Sequence, residues 1–327
     1  MASIETLIRV LADGTFHSGE RIGELLGVSR AAVWKSIKAL EALGMRVDAV
    51  QGRGYRLARP VELLDAERIR AAIEPQARAR ISGLAVHFSI DSTSRYLAAN
   101  ACNDIGEAQL CLAEMQTAGR GRRGRTWCSP FGANLYLSVA WRFAEGPSRL
   151  GGLSLALAIA CAQALKRLGV PGVQLKWPND IWLQGRKAAG LLLEVSGEAQ
   201  GPCLVIAGIG VNMGMPEAIE IDQPWADLHS VCPGLSRNLL AGAVAGAMIS
   251  TLQGFAASGF TPFRAAWEPL DAVHGRLVTL HLPNGVIEGV AAGIDEAGAL
   301  VLVTGTGVQH FSSGEVSLRV QEHVATG

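Results

Sequence analysis

Gly119-Arg120-Gly121-Arg122-Arg123-Gly124-Arg125-Thr126-Trp127 opens with three glycines and four arginines in seven residues, in a chain whose net charge is zero. Four guanidiniums cannot be buried without partners, and each glycine inside a helix costs about 1 kcal/mol against alanine, so the segment is neither core nor helix. Glycine lets the backbone come close to a ligand, and arginine grips a carboxylate or phosphate through two parallel hydrogen bonds. The stretch therefore reads as an anion-holding loop, with a solvated basic hairpin as the plainer alternative. Its spacing also satisfies G-x-G-x-x-G and, from Gly119 to Thr126, a phosphate-cradling loop with arginine in place of lysine. Both patterns need a helix that starts at Gly124 and points its N-terminus at phosphate. Residues 125–132 are instead turn-forming, and Asn134 to Trp141 reads as a strand. Both nucleotide-loop readings are set aside.

Composition bounds the rest. The 327 residues exceed one ordinary core, so two or three domains are expected. A balanced charge gives no global attraction to nucleic acid or membrane, so any DNA contact must come from a local patch. The six cysteines (Cys102, Cys111, Cys128, Cys161, Cys203 and Cys232) show no metal-finger spacing. With no basic-then-apolar leader at the start, they read as reduced thiols of a cytoplasmic protein. The apolar run 153–168 is too short to span a bilayer and reads as a buried helix.

Residues 1–60 carry nine Lys/Arg against six Asp/Glu. Ser3, Ser18 and Ser29 can each cap a helix, with Gly27 and Val28 making a tight turn between the second and third. On the third, Val33, Ile37 and Leu40 form the inward stripe, while Arg30, Trp34, Lys35 and Lys38 share the outer face. Two strand-like pieces follow, 45–50 and 54–57, joined by Gln51-Gly52-Arg53. The pattern predicts a winged helix-turn-helix that binds DNA, with Arg53 and Arg56 on the wing meeting phosphates. A protein-docking module of the same shape is the alternative.

Residues 61–272 form the central segment. Asp65 opens a helix, 84–88 reads as a strand, and Asp91-Ser92-Thr93-Ser94 leads into another helix. Ser92 and Thr93 can cap that helix or bind a small polar ligand at its start. A strand at 110–114 delivers Gln116 and the arginine loop. Further on, Lys176-Trp177-Pro178-Asn179-Asp180 and Lys187 sit on a strand–turn–strand–hairpin–strand pattern. Pro-Asn-Asp is a turn signal in its own right. The same groups also bring two cations, an amide and a carboxylate together, as neutralising phosphate and holding Mg²⁺ requires. The strand 203–212 ends at Asn212 with glycines that suit a close backbone approach.

Three stretches carry a family resemblance: 119–127, Phe131-Gly132-Ala133-Asn134-Leu135-Tyr136, and Lys176-Trp177-Pro178-Asn179-Asp180. With the DNA module ahead of them, the chain resembles, over nearly its full length, bacterial bifunctional biotin–protein ligases that also repress biotin synthesis genes. The resemblance implies an α+β multidomain architecture: an N-terminal winged helix-turn-helix, a central mixed-sheet α/β ligase domain like that of class II synthetases, and a C-terminal SH3-like β-barrel. It implies activation of biotin by ATP, with Mg²⁺, to biotinyl-5′-AMP, and transfer to a lysine of the biotin carboxyl carrier protein of acetyl-CoA carboxylase. The adenylate would also be corepressor, acting through a ligand-dependent homodimer on operator DNA, with no part for a membrane. By residue-by-residue correspondence, Ser92, Thr93, Ser94, Gln116, Arg120, Gly121, Arg122 and Lys187 would line the biotin site. Lys187 and Arg122 would stabilise charge in the reaction. Trp127, Lys176, Asn179 and Asn212 would face the nucleotide, with Trp127 covering adenine, and Asp180 would be the carboxylate nearest Mg²⁺. Ser94 departs from the asparagine of well-known members, which puts its contact with biotin in question. A lipoate–protein ligase and a non-catalytic sensing repressor are the competing readings.

Residues 273–327 read as short strands around the turn signals Pro283-Asn284-Gly285 and 295–298, a small β-barrel in which no residue stands out as carrying chemistry.

Overall fold

The computed structural model describes residues 4–216, 219, 221–282, 285–312 and 317–320. The chain begins with α1 (Ile4–Leu11), α2 (Gly19–Leu26) and α3 (Arg30–Ala42), then the antiparallel hairpin β1 (Val47–Val50) and β2 (Gly54–Leu57). Ser18 and Ser29 accept hydrogen bonds from the amides of Arg21 and Ala32, caps that contribute about 1 kcal/mol each. Ser3 lies outside the described residues. Gly27 turns the chain from α2 to α3 at φ 63°, a conformation that favours glycine. Leu7, Ile8, Leu11, Ile22, Val33, Ile37 and Leu40 close a small core, which Phe131 of the central domain completes. The winged module is thus packed onto its neighbour.

Next come α4 (Ala66–Ala71), α5 (Pro75–Arg78), β3 (Ile81–His87), α6 (Thr93–Asn100), β4 (Ala108–Ala113) and β5 (Leu135–Phe143). They are followed by α7 (Leu153–Arg167), β6 (Val173–Lys176), β7 (Asp180–Leu183), β8 (Arg186–Gly197), β9 (Cys203–Val211), α8 (Arg237–Ser258) and α9 (Thr261–Arg264). The strands form one mixed sheet in the order β3-β4-β5-β9-β8-β7-β6, with only β3 and β4 parallel. Because side chains alternate along a strand, the sheet has two distinct faces. Leu110, Leu112, Leu137, Val139 and Val205 point to the large core under α7 and α8, while Cys111, Ala140, Leu204 and Ile206 meet Leu97 of α6. Sequence reading passed over α8. Its 22 residues are long and apolar enough to cross a bilayer, yet most of it is buried in the core against α7, α4 and β5.

The C-terminal strands β10 (Leu277–Leu282), β11 (Gly285–Ile294), β12 (Leu300–Thr304), β13 (Gly307–Phe311) and β14 (Ser317–Val320) form an antiparallel sheet in the order β13-β12-β11-β10-β14. The turn at 295–298 is present, with the amides of Ala297 and Ala299 bonded to Asp295. Residues 283–284, expected in the first turn, lie outside the described residues. Val278, Leu280, Leu300, Leu302 and Leu318 join the core of the central domain, and the Trp177 indole donates to the Gly298 carbonyl at 3.2 Å.

A polar knot ties the linker to the site region. Arg237 at the start of α8 pairs with Glu114 at 2.7 Å, both side chains 4% exposed, and donates to the carbonyls of Glu62 and Asn134. Glu114 also accepts from the Leu64 amide, and Glu62 from Ser236 and Asn238. A buried pair with this many partners avoids the penalty of an uncompensated charge, although Arg237 Nε finds no acceptor among the described residues.

Candidate active site

The site lies on the α6 face of the sheet, where register rather than local sequence assembles it. Ser138, Gly208 and Leu192 stand side by side across β5, β9 and β8. In the next row along the strands, Gly210, Gly190, Asp180 and Lys176 follow one another across β9, β8, β7 and β6. Three glycines strip this part of the sheet to its backbone, leaving a floor for a flat ligand. Side chains rise around it.

At one end Thr93 donates its amide and hydroxyl to Gln116 Oε1 at 2.9 and 3.1 Å. The hydroxyls of Thr93 and Ser94 both meet Ser138 Oγ, at 2.7 and 3.0 Å. Ser92 caps α6 through the Arg95 amide, and all three residues of the Ser92-Thr93-Ser94 cluster are buried. Ser92 thus holds the helix, while Thr93 and Ser94 form a hydroxyl cluster with Ser138, and all three line the same cavity. Ser94 faces Gly208 directly. The sequence did hold a signal for Ser138, the one hydroxyl in the otherwise apolar run Leu135–Trp141 apart from the tyrosine.

At the other end the cations gather. Lys187 Nζ lies 2.8 Å from Asp180 Oδ1 and 5.5 Å from the centre of the Trp127 ring. Arg122 donates to Asn179 Oδ1 at 3.2 Å, and the Asn179 amide in turn donates to the Leu191 carbonyl. Burial lowers the affinity of Arg122 for its proton; Asp180 opposes the shift and neighbouring Arg123 adds to it. Lys176 sits over the Trp182 ring at 4.9 Å. Burial pushes its ammonium down to about 8; Asp180 opposes this, while Arg319, Lys187 and Arg125 add to it. A site already crowded with positive charge loses some of it unless an anion enters.

The arginine loop is neither helix nor open coil. Trp127 N bonds Gly119 O and Gly121 N bonds Arg125 O, which folds it into a narrow hairpin capped by a turn at Arg122–Gly124. Arg123 stands at φ 59°, a left-handed conformation rare for a side-chain-bearing residue. Arg120 reaches across to Glu194 on β8 at 2.7 Å. The Trp127 indole lies on Gly190 and Gly210, where an added Cβ at Gly210 would collide with its ring, and its Nε1 is buried with no hydrogen-bond partner among the described residues. The loop thus covers the floor.

Ser92, Thr93, Ser94, Gln116, Arg120, Gly121, Arg122, Trp127, Lys176, Asn179, Asp180 and Lys187 line one cavity of about 130 Å³. Asn212 does not. It is buried beside the cavity and donates to the carbonyls of Lys187 and Ala226, fixing the strand that carries Lys187. The lining also includes Arg319 of β14, in the C-terminal segment where no chemistry was expected. Its charge alone could not mark it, because only the docking of that sheet brings it here. Among the described residues no three His, Cys, Asp or Glu side chains are grouped to hold a metal ion. None of the expected DNA-contact residues lines the cavity: Arg30, Trp34, Lys35 and Lys38 are all exposed on α3, and Arg53 is exposed on the wing.

Comparison with known proteins covers nearly the whole chain. Residues 4–56 match an HTH domain model, 87–212 the biotin/lipoate A/B protein ligase family, and 273–319 the biotin protein ligase C-terminal domain. The bifunctional ligase/repressor BirA of Salmonella typhimurium is 42% identical over 97% of this chain and 98% of its own. That of Bacillus subtilis is 31% identical over 94% and 95%. Among solved structures, the biotin protein ligase from Aquifex aeolicus in complex with biotin and ATP superposes with a TM-score of 0.64 and 30% identity, covering 73% of this chain and all of that one. On this full-length similarity and three-domain match, the chain belongs to the biotin protein ligase family, in the company of the bifunctional ligase/repressors.

Proposed function

We propose that this protein is a biotin–protein ligase and a biotin-responsive repressor. The observation that carries the reading is the glycine-bare floor, with a hydroxyl cluster at one end and Lys176, Lys187, Arg122 and Arg120 at the other. Biotin's fused rings suit the floor and the hydroxyls of Thr93, Ser94 and Ser138. Its carboxylate, ionised at neutral pH, needs no base to become a nucleophile. The obstacle is repulsion between two anions, which positioned cations remove. A carboxylate oxygen attacks the α-phosphorus of ATP, pyrophosphate leaves, and biotinyl-5′-AMP forms. Lys187 would exchange Asp180 for the carboxylate and α-phosphate, and Arg122 would move from Asn179 to the same charge. A neutral lysine amine of the biotin carboxyl carrier protein then attacks the acyl carbon, and AMP departs with the bond electrons.

Mg²⁺ would enter with ATP as the counter-ion of its phosphates. Asp180 is the one carboxylate among the described lining residues, and a single carboxylate with phosphate and water suits Mg²⁺. Trp127 and Asn179 are assigned to the nucleotide side, and Asn212 to holding Lys187 in place. DNA binding through Arg30, Trp34, Lys35, Lys38 and Arg53 is supported by their shared exposure and by the helix-turn-helix match. Six free thiols suit a cytoplasmic location.

ATP–pyrophosphate exchange tests the enzyme directly. Exchange should depend on biotin, not lipoate, and fall by at least roughly a hundredfold in Lys187→Ala, the scale of losing one charge-stabilising donor. Exchange with lipoate instead would make the chain a lipoate ligase. Measurable biotin binding with no exchange would make it a sensing repressor.

A further inference from the structure

The α1–α2 connection carries a ring that the DNA-contact reading did not use. Phe16 is half-buried, and the guanidinium carbons of Arg53 and Arg56 lie over it at 4.3 and 4.7 Å from its centre. The placement is enforced by the backbone. His17 pairs with Tyr55 through two 2.9 Å hydrogen bonds, which brings the α1–α2 connection alongside β2. The left-handed bend at Gly54, φ 102°, lets the wing pass so close to His17 that a Cβ there would collide with its carbonyl. Arg56 is fixed a second time, with both Nε and Nη2 at 3.0 Å from Asp48 Oδ2. Arg53 forms no ion pair among the described residues.

Two like charges gathered on one ring repel each other, and one carboxylate offsets one of them. The wing strand that carries Arg56 comes up to the start of α3: a Cβ added at Gly19 would lie 3.5 Å from the ring of Tyr55, the inward-facing neighbour of Arg56, and 3.8 Å from the Arg30 stem. We propose that Phe16 is a positioning residue for DNA binding: its ring holds the Arg53 and Arg56 guanidiniums as a preset pair for backbone phosphates beside α3. The stacking orients flat, multi-donor groups before the duplex arrives, so fewer side-chain rotamers are lost on binding. The inference rests on the reading of residues 1–60 as a DNA-binding module and adds a residue that itself makes no charge contact.

The test uses the full-length protein and a fluorescent 40-base-pair duplex of random sequence, since sequence-independent binding is carried by phosphate contacts. Wild type should bind with an affinity that falls steeply with salt. Phe16→Leu should weaken binding roughly three- to tenfold, the range that exposed cation–π contacts support. Phe16→Tyr, which keeps an aromatic face, should restore it. In an Arg53→Ala/Arg56→Ala background, Phe16→Leu should add nothing, because the groups it positions are gone. A ring needed merely for folding would instead weaken binding equally in both backgrounds and lower the melting temperature, and that result overturns the proposal. Full affinity in Phe16→Leu overturns it as well. No salt-dependent binding by wild type would overturn the DNA reading itself, leaving biotin-dependent exchange to stand alone.

Discussion

Lys176 and Gly210 show how single residues set the limits of the site. Lys176 is cationic below about 8 and neutral above it, because burial disfavours its charge. In the proposed function that charge would meet the polyphosphate of ATP. The ratio kcat/KM for ATP, which reports the free enzyme, should therefore decline as pH rises through about 8. Lys176→Arg keeps its charge at every accessible pH and should carry the plateau to higher pH; a wild-type profile flat to pH 10 would remove Lys176 from nucleotide binding. At Gly210 the question is space. A methyl group there would enter the volume held by the Trp127 indole and intrude on the floor. Overpacking of this kind costs about 1–3 kcal/mol. Calorimetric titration of Gly210→Ala should accordingly show biotin binding weakened by about tenfold or more, whereas an unchanged affinity would mean that biotin does not use this floor. Residues of this kind were only partly legible in the sequence. Lys176, Asp180 and Lys187 lie within twelve positions and announce themselves, but Ser138, Gly208 and Gly190 become one site only through strand register.

At the scale of elements, the arginine hairpin, the α6 start and β6–β8 were readable because their signals are local: glycine, proline, caps and alternation. The helix α8 was not, because it is buried on most of its sides and so lacks the polar stripe that marks an amphipathic helix. Its first turn organises a junction that no short-range pattern could expose, since Arg237 and Glu114 are 123 residues apart. Arg237→Ala would leave Glu114 buried with an unmatched charge and free the carbonyls of Glu62 and Asn134. Breaking a buried pair from one side costs about 3–5 kcal/mol. Urea unfolding of Arg237→Ala should show that loss. Adding Glu114→Gln should recover part of it by removing the stranded charge, and two losses that simply add would mean that the side chains do not act as a pair.

At the scale of the whole molecule, β8 offers a place for a second copy. It runs for twelve residues, but β7 pairs with it only as far as Gly190. Beyond Leu191, whose amide bonds Asn179 O, the side of β8 opposite β9 carries no strand among the described residues. An open strand edge is a template for pairing, and two such edges related by a two-fold axis would continue the sheet from one subunit into the next. Val195 on this segment is 44% exposed, and Glu194 beside it is the residue that Arg120 grips. If Arg120 grips the ligand's carboxyl or phosphate group, as proposed above, it has two partners to choose between, that group and the edge strand. Binding of biotinyl-5′-AMP would draw Arg120 inward and away from Glu194, changing the charge and shape of the edge. Coupling of this sort is reciprocal, so dimerisation must tighten adenylate binding by the same factor. Sedimentation velocity at micromolar protein should show monomer without ligands and dimer with biotin and ATP. Val195→Lys, which places a charge on each of two apposed edges, should stay monomeric under both conditions while melting within a few degrees of wild type. If Val195→Lys dimerised as wild type does, the interface would lie elsewhere. If wild type showed one mass with and without ligands, the adenylate would have to reach the DNA-binding module within a single chain, through the Glu62–Arg237–Glu114 knot that joins the linker to the strand feeding the arginine loop.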